Sequence, residues 1–229
     1  SQRHLPAERP FKVDWAGHAD LVEGPDGQYY GVFLAIRPNE ANRVNTGRET
    51  FILPVDWSGT FPVFKGGLEP IQPKLAMPQG VKNETGKNGY FPNGNFTFTE
   101  TFTGSSLDYR WVGVRGAREG FISTTAEGLT ITPYETNIKA VLPTSTLFYR
   151  QQHLNFTATT TLKYVPRTEK DLAGITCYQS EKFNYVFGVT KKAEDSYIVL
   201  QRTEKGESST IASEKIEGNT PISLRVTAE

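Results

Sequence analysis

What this 229-residue sequence lacks narrows its class before any motif is read. It has one cysteine, Cys177, so no intrachain disulfide can staple it and its stability must come from packing. It has no excess of either charge sign: Lys plus Arg and Asp plus Glu each total 25 and are interspersed. That balance sets aside the basic surface that nucleic acid or an anionic membrane would need, and a neutral ligand suits it better. No apolar run approaches the ~20 residues of a spanning helix, and no basic, apolar and small-residue succession marks a signal peptide. Sequons at Asn83, Asn95 and Asn155 would carry glycans only in a eukaryotic secretory pathway, so they leave the compartment open.

Helical periodicity is as scarce as cysteine. The chain offers short runs rich in Val, Ile, Tyr, Phe and Thr, punctuated by Gly, Pro, Asn and Asp, which predicts an all-β protein. Residues 29–36 and 51–55 are apolar at nearly every position, so these strands are expected to be buried on both faces, as in layered or radially packed sheets. From 71 to 95 the pattern dissolves into Pro73, Pro78, Gly80, Asn83, Gly86, Asn88, Gly89, Pro92, Asn93 and Gly94, the composition of a linker. Beyond it the strands alternate. Phe156, Ala158, Leu162 and Tyr164 share one face, as do Ile222, Leu224 and Val226, and Phe183, Tyr185, Phe187 and Val189, which are expected to be core. The expected organisation is a first β domain over 1–72, a linker over 73–95 and a β-sandwich over 96–229. The final strand alternates up to Glu229 and the first buried strands come within ~20 residues of Ser1, so further chain is expected on both sides.

Two constellations could carry chemistry. In Gly17-His18-Ala19-Asp20-Leu21-Val22-Glu23, a histidine stands just before a buried strand. Were the segment fully extended, His18 and Asp20 would face the same side and could pair. In Asn45-Thr46-Gly47-Arg48-Glu49-Thr50-Phe51, an arginine and a glutamate open an apolar strand. Arg48 either pairs with Glu49 or solvates a strand end, or else aims its guanidinium fork at a polar ligand. Asp14, Asp20, Glu23 and Asp26 cluster in sequence, but loop charges and a hydrogen-bonded aspartate account for them.

These segments resemble glycoside hydrolase family 43, enzymes of the xylosidase and arabinofuranosidase type. The matching stretches are GHADLVE at 17–23, IRP at 36–38 and NTGRETFILPV at 45–55, followed by Trp57 and Pro-Val-Phe at 62–64; Leu5-Pro-Ala-Glu-Arg-Pro10 is similar to the segment leading into the histidine. Downstream, Phe102, Trp111, the 147–153 segment LFYRQQH and the 173–178 segment AGITCY are similar to the family's sandwich. The resemblance implies the last blades of a five-bladed β-propeller over 1–72, followed by a concanavalin A-like antiparallel β-sandwich. It also implies that His18 and Arg48 are active-site residues, with Asp20 orienting His18. His18 would reach a calcium ion through water, and Arg48 would hydrogen-bond the glycone. No cofactor is required beyond a possible structural calcium.

The implied reaction is inverting, exo-acting hydrolysis of xylosyl or arabinofuranosyl linkages in hemicellulose. The partners are then a xylo-oligosaccharide or arabinoxylan-type glycan and the missing upstream propeller, with neither nucleic acid nor membrane. Inversion needs an acid and a base ~6.5–9.5 Å apart, and no candidate pair is found here, so this segment alone is expected to be inactive. A periplasmic or extracellular setting is favoured over the cytoplasm. The competing reading is a non-catalytic carbohydrate-binding sandwich, since the chain is 12% aromatic and sandwiches can present aromatic platforms. His153 is expected to be a structural histidine.

Overall fold

A computed structural model describes residues 13–39, 41–65, 70–72, 74–82, 86, 89–91, 94–116, 120–217 and 221–229. The 5–10 segment and Pro73, Asn83, Asn88, Pro92 and Asn93 lie outside the described residues. No α-helix occurs among the described residues, so none is long and apolar enough to cross a membrane. The chain divides into two compact units, Ser1–Thr99 with Gln151–Leu154, and Glu100–Arg150 with Asn155–Glu229.

The first unit is built on an antiparallel meander of β1 (Asp14–Glu23), β2 (Tyr29–Ile36), β3 (Arg48–Asp56) and β4 (Val63–Phe64), hydrogen-bonded in that order. Sequential antiparallel pairing of this kind is the form of a propeller blade. The β1–β2 turn is organised by Asp26, which accepts from the Gln28 amide at 3.1 Å and the Tyr30 hydroxyl at 2.7 Å. Those bonds hold its carboxyl below the usual range, the Tyr30 bond foremost. On one face Val13, Phe33, Ala35 and Ile71 form the core, with Ala16, Phe51, Leu53 and Phe64 packed on it. Phe33 stacks on Phe51 at 6.0 Å and meets the edge of Phe64 at 5.9 Å. Gly31 must be glycine, because a Cβ there would run into the Phe64 ring. The other face is less covered. Tyr30 and Ile36 are buried, but Ile52 is 39% exposed.

Residues beyond β4 stay with this unit despite their linker-like composition. Ile71 enters the core, Gln152 Nε2 donates to the Phe91 carbonyl at 2.9 Å, and His153 Nε2 lies 2.8 Å from the Gly94 carbonyl oxygen. Phe96 stacks on Phe91 at 5.0 Å and meets the His153 ring at 5.2 Å. His153 is thus a structural residue that pins an irregular segment.

The second unit carries the short strands β5 (Trp111–Val112), β6 (Ile122–Thr125), β7 (Gly128–Ile131) and β8 (Phe148–Tyr149), and then the long ones. β9 (Phe156–Leu162) pairs with β14 (Ile222–Ala228), while β10 (Leu172–Ser180), β11 (Phe183–Lys192), β12 (Asp195–Glu204) and β13 (Glu207–Ile216) form a four-stranded antiparallel sheet in chain order. Lys205 and Gly206, with φ of 54° and 89°, make the two-residue turn from β12 to β13; positive φ at both positions matches the twist of the flanking strands. The alternation expected in β9 and β14 is present: Leu224 is fully buried, and Thr157, Thr159 and Thr161 face solvent.

β11 departs from expectation at its start, although Val189, further along the same face, is buried as expected. Phe183 is 39% and Tyr185 45% exposed, and the buried positions at this end fall on the other face, at Asn184. The reason lies in the hairpin. The Asn184 side-chain amide donates to the carbonyls of Ser180 and Glu181 and so belongs inside the β10–β11 turn, which turns its neighbours Phe183 and Tyr185 outward.

Candidate functional site

The expected site residues lie on the first unit's sheet, and β1, which carries two of them, is irregular. Asp14, Gly17 and Asp20 pair with Ile36, Leu34 and Val32, so twice in succession three residue steps along β1 span two along β2. Each shift is a bulge with one extra residue, and each contains a non-glycine residue at positive φ: Trp15 at 52° and His18 at 54°. Left-handed backbone at a β-carbon-bearing residue costs roughly 1–2 kcal/mol, so the two bulges hold strain within four residues of one another. A bulge re-aims the side chain it carries. At His18 it interrupts the simple alternation that would have put His18 and Asp20 side by side, and no hydrogen bond joins them.

Register places Asp20 and Arg48 on one face of the sheet, because Asp20 pairs with Val32 and Arg48 with Ile36, an even-numbered set on β2. The two are about 13 Å apart along β2 at the ordinary strand rise. His18, Asp20 and Arg48 are all exposed. Arg48 has no ion-pair partner among the described residues, and the pairing with Glu49 that could have absorbed it is absent. Glu49 instead accepts from Arg37, with Nε at 2.9 Å and Nη2 at 2.7 Å, and from the Thr46 hydroxyl at 2.9 Å. The Arg37–Glu49 pair sits on the core face, beside Ala35, and leaves Arg48 on the opposite face with its five donors unspent. Arg37 was visible in the sequence only as part of a motif. What assigns it to Glu49 is strand register, which places Glu49 across from Ala35, two residues before Arg37.

No group of three or more His, Cys, Asp or Glu among the described residues could hold a metal. Calcium takes six to eight oxygen ligands, and an imidazole nitrogen is not one of them. The described residues do not by themselves make a calcium cage, and His18 fits that ion only through an intervening water.

A family model described as the β-xylosidase C-terminal concanavalin A-like domain matches residues 99–229, more than half of the chain. The chain belongs to glycoside hydrolase family 43. This family 43 chain is 50% identical to the structure of a GH43_12 protein retrieved from capybara gut metagenome, with a TM-score of 0.86 over 97% of this chain and 42% of that one. The non-reducing end α-L-arabinofuranosidase BoGH43B of Bacteroides ovatus is 26% identical over 96% of this chain, and a xylosidase/arabinosidase of Butyrivibrio fibrisolvens 29% over 91%. In both cases this chain spans 40% of the relative's length. The residues that the family model matches begin at Thr99, where the second compact unit also begins to within one residue.

Proposed function

We propose that this family 43 chain supplies one blade and the C-terminal sandwich of an exo-acting, inverting glycosidase that removes xylosyl or arabinofuranosyl units from hemicellulose. The observation that carries the reading is the state of Arg48: an exposed guanidinium at the start of β3, beside an Arg37 that is already locked to Glu49. A planar fork of donors with no acceptor among the described residues suits the adjacent hydroxyls of a sugar ring. His18, carried on its bulge, is the second site residue; Asp20 forms no hydrogen bond with it and stands instead on the face that carries Arg48. In this reading the acid and base carboxylates lie on the rest of the parent polypeptide. The relatives' names, arabinofuranosidase and xylosidase/arabinosidase, support the pentose class.

The chemistry follows from inversion. One carboxylate activates water while a carboxylic acid protonates the leaving oxygen, with the two ~6.5–9.5 Å apart to admit that water. Arg48 orients the glycone and, by its charge, favours ionisation of a neighbouring carboxyl group. The test is release of p-nitrophenol from β-xyloside and α-L-arabinofuranoside by the intact parent polypeptide. His18→Ala and Arg48→Ala are each expected to lower kcat/KM by roughly 100-fold or more, the usual cost of removing one preorganised donor at the reacting sugar. This chain alone should be inactive. An inactive parent, or variants that match it, would refute the assignment. The binding-module reading draws on one observation, the outward-facing Phe183 and Tyr185 of β11; retained glycan binding by an inactive parent would favour it.

A further inference from the structure

The end of the first sheet opposite Arg48 carries a cleft. It is an open depression of about 290 Å³ lined by Gly27, Gln28, Tyr29, Asp56, Trp57 and Lys65. Its walls are strand ends: Tyr29 opens β2, Asp56 closes β3 and pairs with Val63, and the Lys65 amide donates to the Pro54 carbonyl at 2.8 Å just after β4. A site assembled from the ends of a hydrogen-bonded sheet needs little ordering when a ligand arrives. Arg48 lies at the opposite end of β3, about 26 Å away at the ordinary strand rise.

The cleft's chemistry is mixed in a particular way. The Tyr29 and Trp57 rings meet edge to face, with centroids 5.6 Å apart and planes at 70°, and both remain substantially exposed, Trp57 at 45%. Scattered single exposed aromatics need no explanation, but here two lie in contact at the wall of a concavity, where the edge of one ring braces the face of the other. Beside them stand an acceptor, Asp56, a two-way amide, Gln28, and a donor, Lys65. Asp56 is held below the usual carboxylate range, first by the Ser58 amide that bonds it at 2.8 Å and, more weakly, by the charge of Lys65, so it stays an acceptor at neutral pH. One charge of each sign leaves the cleft without a net field to recruit an ion.

We propose that this cleft binds a pentosyl unit of a neutral glycan chain, with the ring face of the sugar on Trp57 and its hydroxyls reaching Asp56, Gln28 and Lys65. The axial C–H groups of a pyranose offer weak positive charge to the negative face of an aromatic ring, while its hydroxyls both donate and accept. The volume is at the bottom of the range for small-molecule sites, which suits one small ring of a longer chain rather than an engulfed ligand. The choice of a pentose chain rests on the glycosidase reading above; the existence of a glycan site does not.

The test is affinity electrophoresis of the intact parent polypeptide in gels with and without soluble arabinoxylan, with p-nitrophenyl glycoside hydrolysis measured in parallel. The parent should be retarded by the polysaccharide. Trp57→Ala should weaken that binding roughly tenfold, Trp57→Phe should keep most of it, and kcat/KM on the small substrates should be unchanged in both. A Trp57→Ala protein retarded like the parent, or a parent that is not retarded, overturns the site. Loss of retardation together with loss of hydrolysis in Trp57→Ala, with Trp57→Phe failing to restore either, also overturns it, because the ring is then a fold requirement. Retardation that depends on Trp57 in a parent that hydrolyses neither substrate upholds the cleft while refuting the glycosidase reading.

Discussion

The two large sheets of this protein solve the same problem with opposite materials. In β1–β4 the strands are apolar on both faces, and one face is closed by rings: Phe33, Phe51 and Phe64 lock around Val13, Ala35 and Ile71. In β10–β13 the strands are long and mixed, and polar residues such as Asn184, Thr190 and Thr203 are buried with hydrogen bonds to nearby carbonyls or hydroxyls. Even so, Ile52 on β3 and Trp15 on β1 remain exposed in the first sheet. The second is nearly self-sufficient in pairing. Apolarity on both faces of a strand therefore reports what a sheet is built to meet, and alternation reports what it already has.

That contrast can be broken most forcefully by truncating one aromatic from each sheet. Phe33→Ala should cost about 3–5 kcal/mol in denaturant unfolding, because it opens a cavity at the centre of the ring cluster. Tyr185→Ala, an aromatic at the same period-two spacing but facing out, should fall within about 0.5 kcal/mol of the parent. Equal losses would mean that the two sheets do not differ in the way described.

A middle-sized effect belongs to the loop that feeds β10. Asp171 accepts from the Tyr164 hydroxyl at 2.9 Å, the Arg167 amide at 2.8 Å and the Thr168 hydroxyl at 2.7 Å. These bonds, the Arg167 amide foremost, bring its carboxyl down to about 2, while burial and the bond to Asp171 push the Tyr164 hydroxyl up to about 12. A depressed acid adds stability that is fully present above its unfolded value, near 4, and is lost as pH falls toward about 2. Asp171→Asn should remove about 1 kcal/mol of this at neutral pH, a figure reduced for the solvent around the carboxylate. The variant's melting temperature should also fall less steeply than the parent's between pH 4 and about 2. A parallel pair of melting curves would contradict the network's role.

The smallest effect tests the first sheet's polar seam. A double-mutant cycle on Arg37 and Glu49 should return a coupling of about 0.5–1 kcal/mol, since the pair is bidentate but partly solvated. The corresponding cycle on Arg48 and Glu49 should return about zero, because only the first arginine is paired.

Much of this was legible in the residues. Strand content, the change from continuous to alternating apolar pattern and the motifs around His18 and Arg48 could all be read directly. Composition carries no contacts: residues 73–95 read as a linker, and those described cluster with the first unit, held in part by His153 and Gln152 from about 60 positions further on. At β11 the period was legible, and the face was right at Val189 but not at Phe183 and Tyr185, because Asn184 is claimed by its hairpin. The relation of His18 to Asp20 also lay beyond reach, since a bulge is one residue of misregister that no local pattern announces.

The sequence by itself determined the class of structure and the chemistry on offer, because β-periodicity, turn residues and charge balance are local properties that each segment carries wherever it is placed. Only the tertiary structure decided which arginine is spent on Glu49 and which is left exposed, and which end of the sheet gathers Tyr29 and Trp57 into one cleft. Those outcomes depend on strand register, and register is set by how whole faces pack against one another.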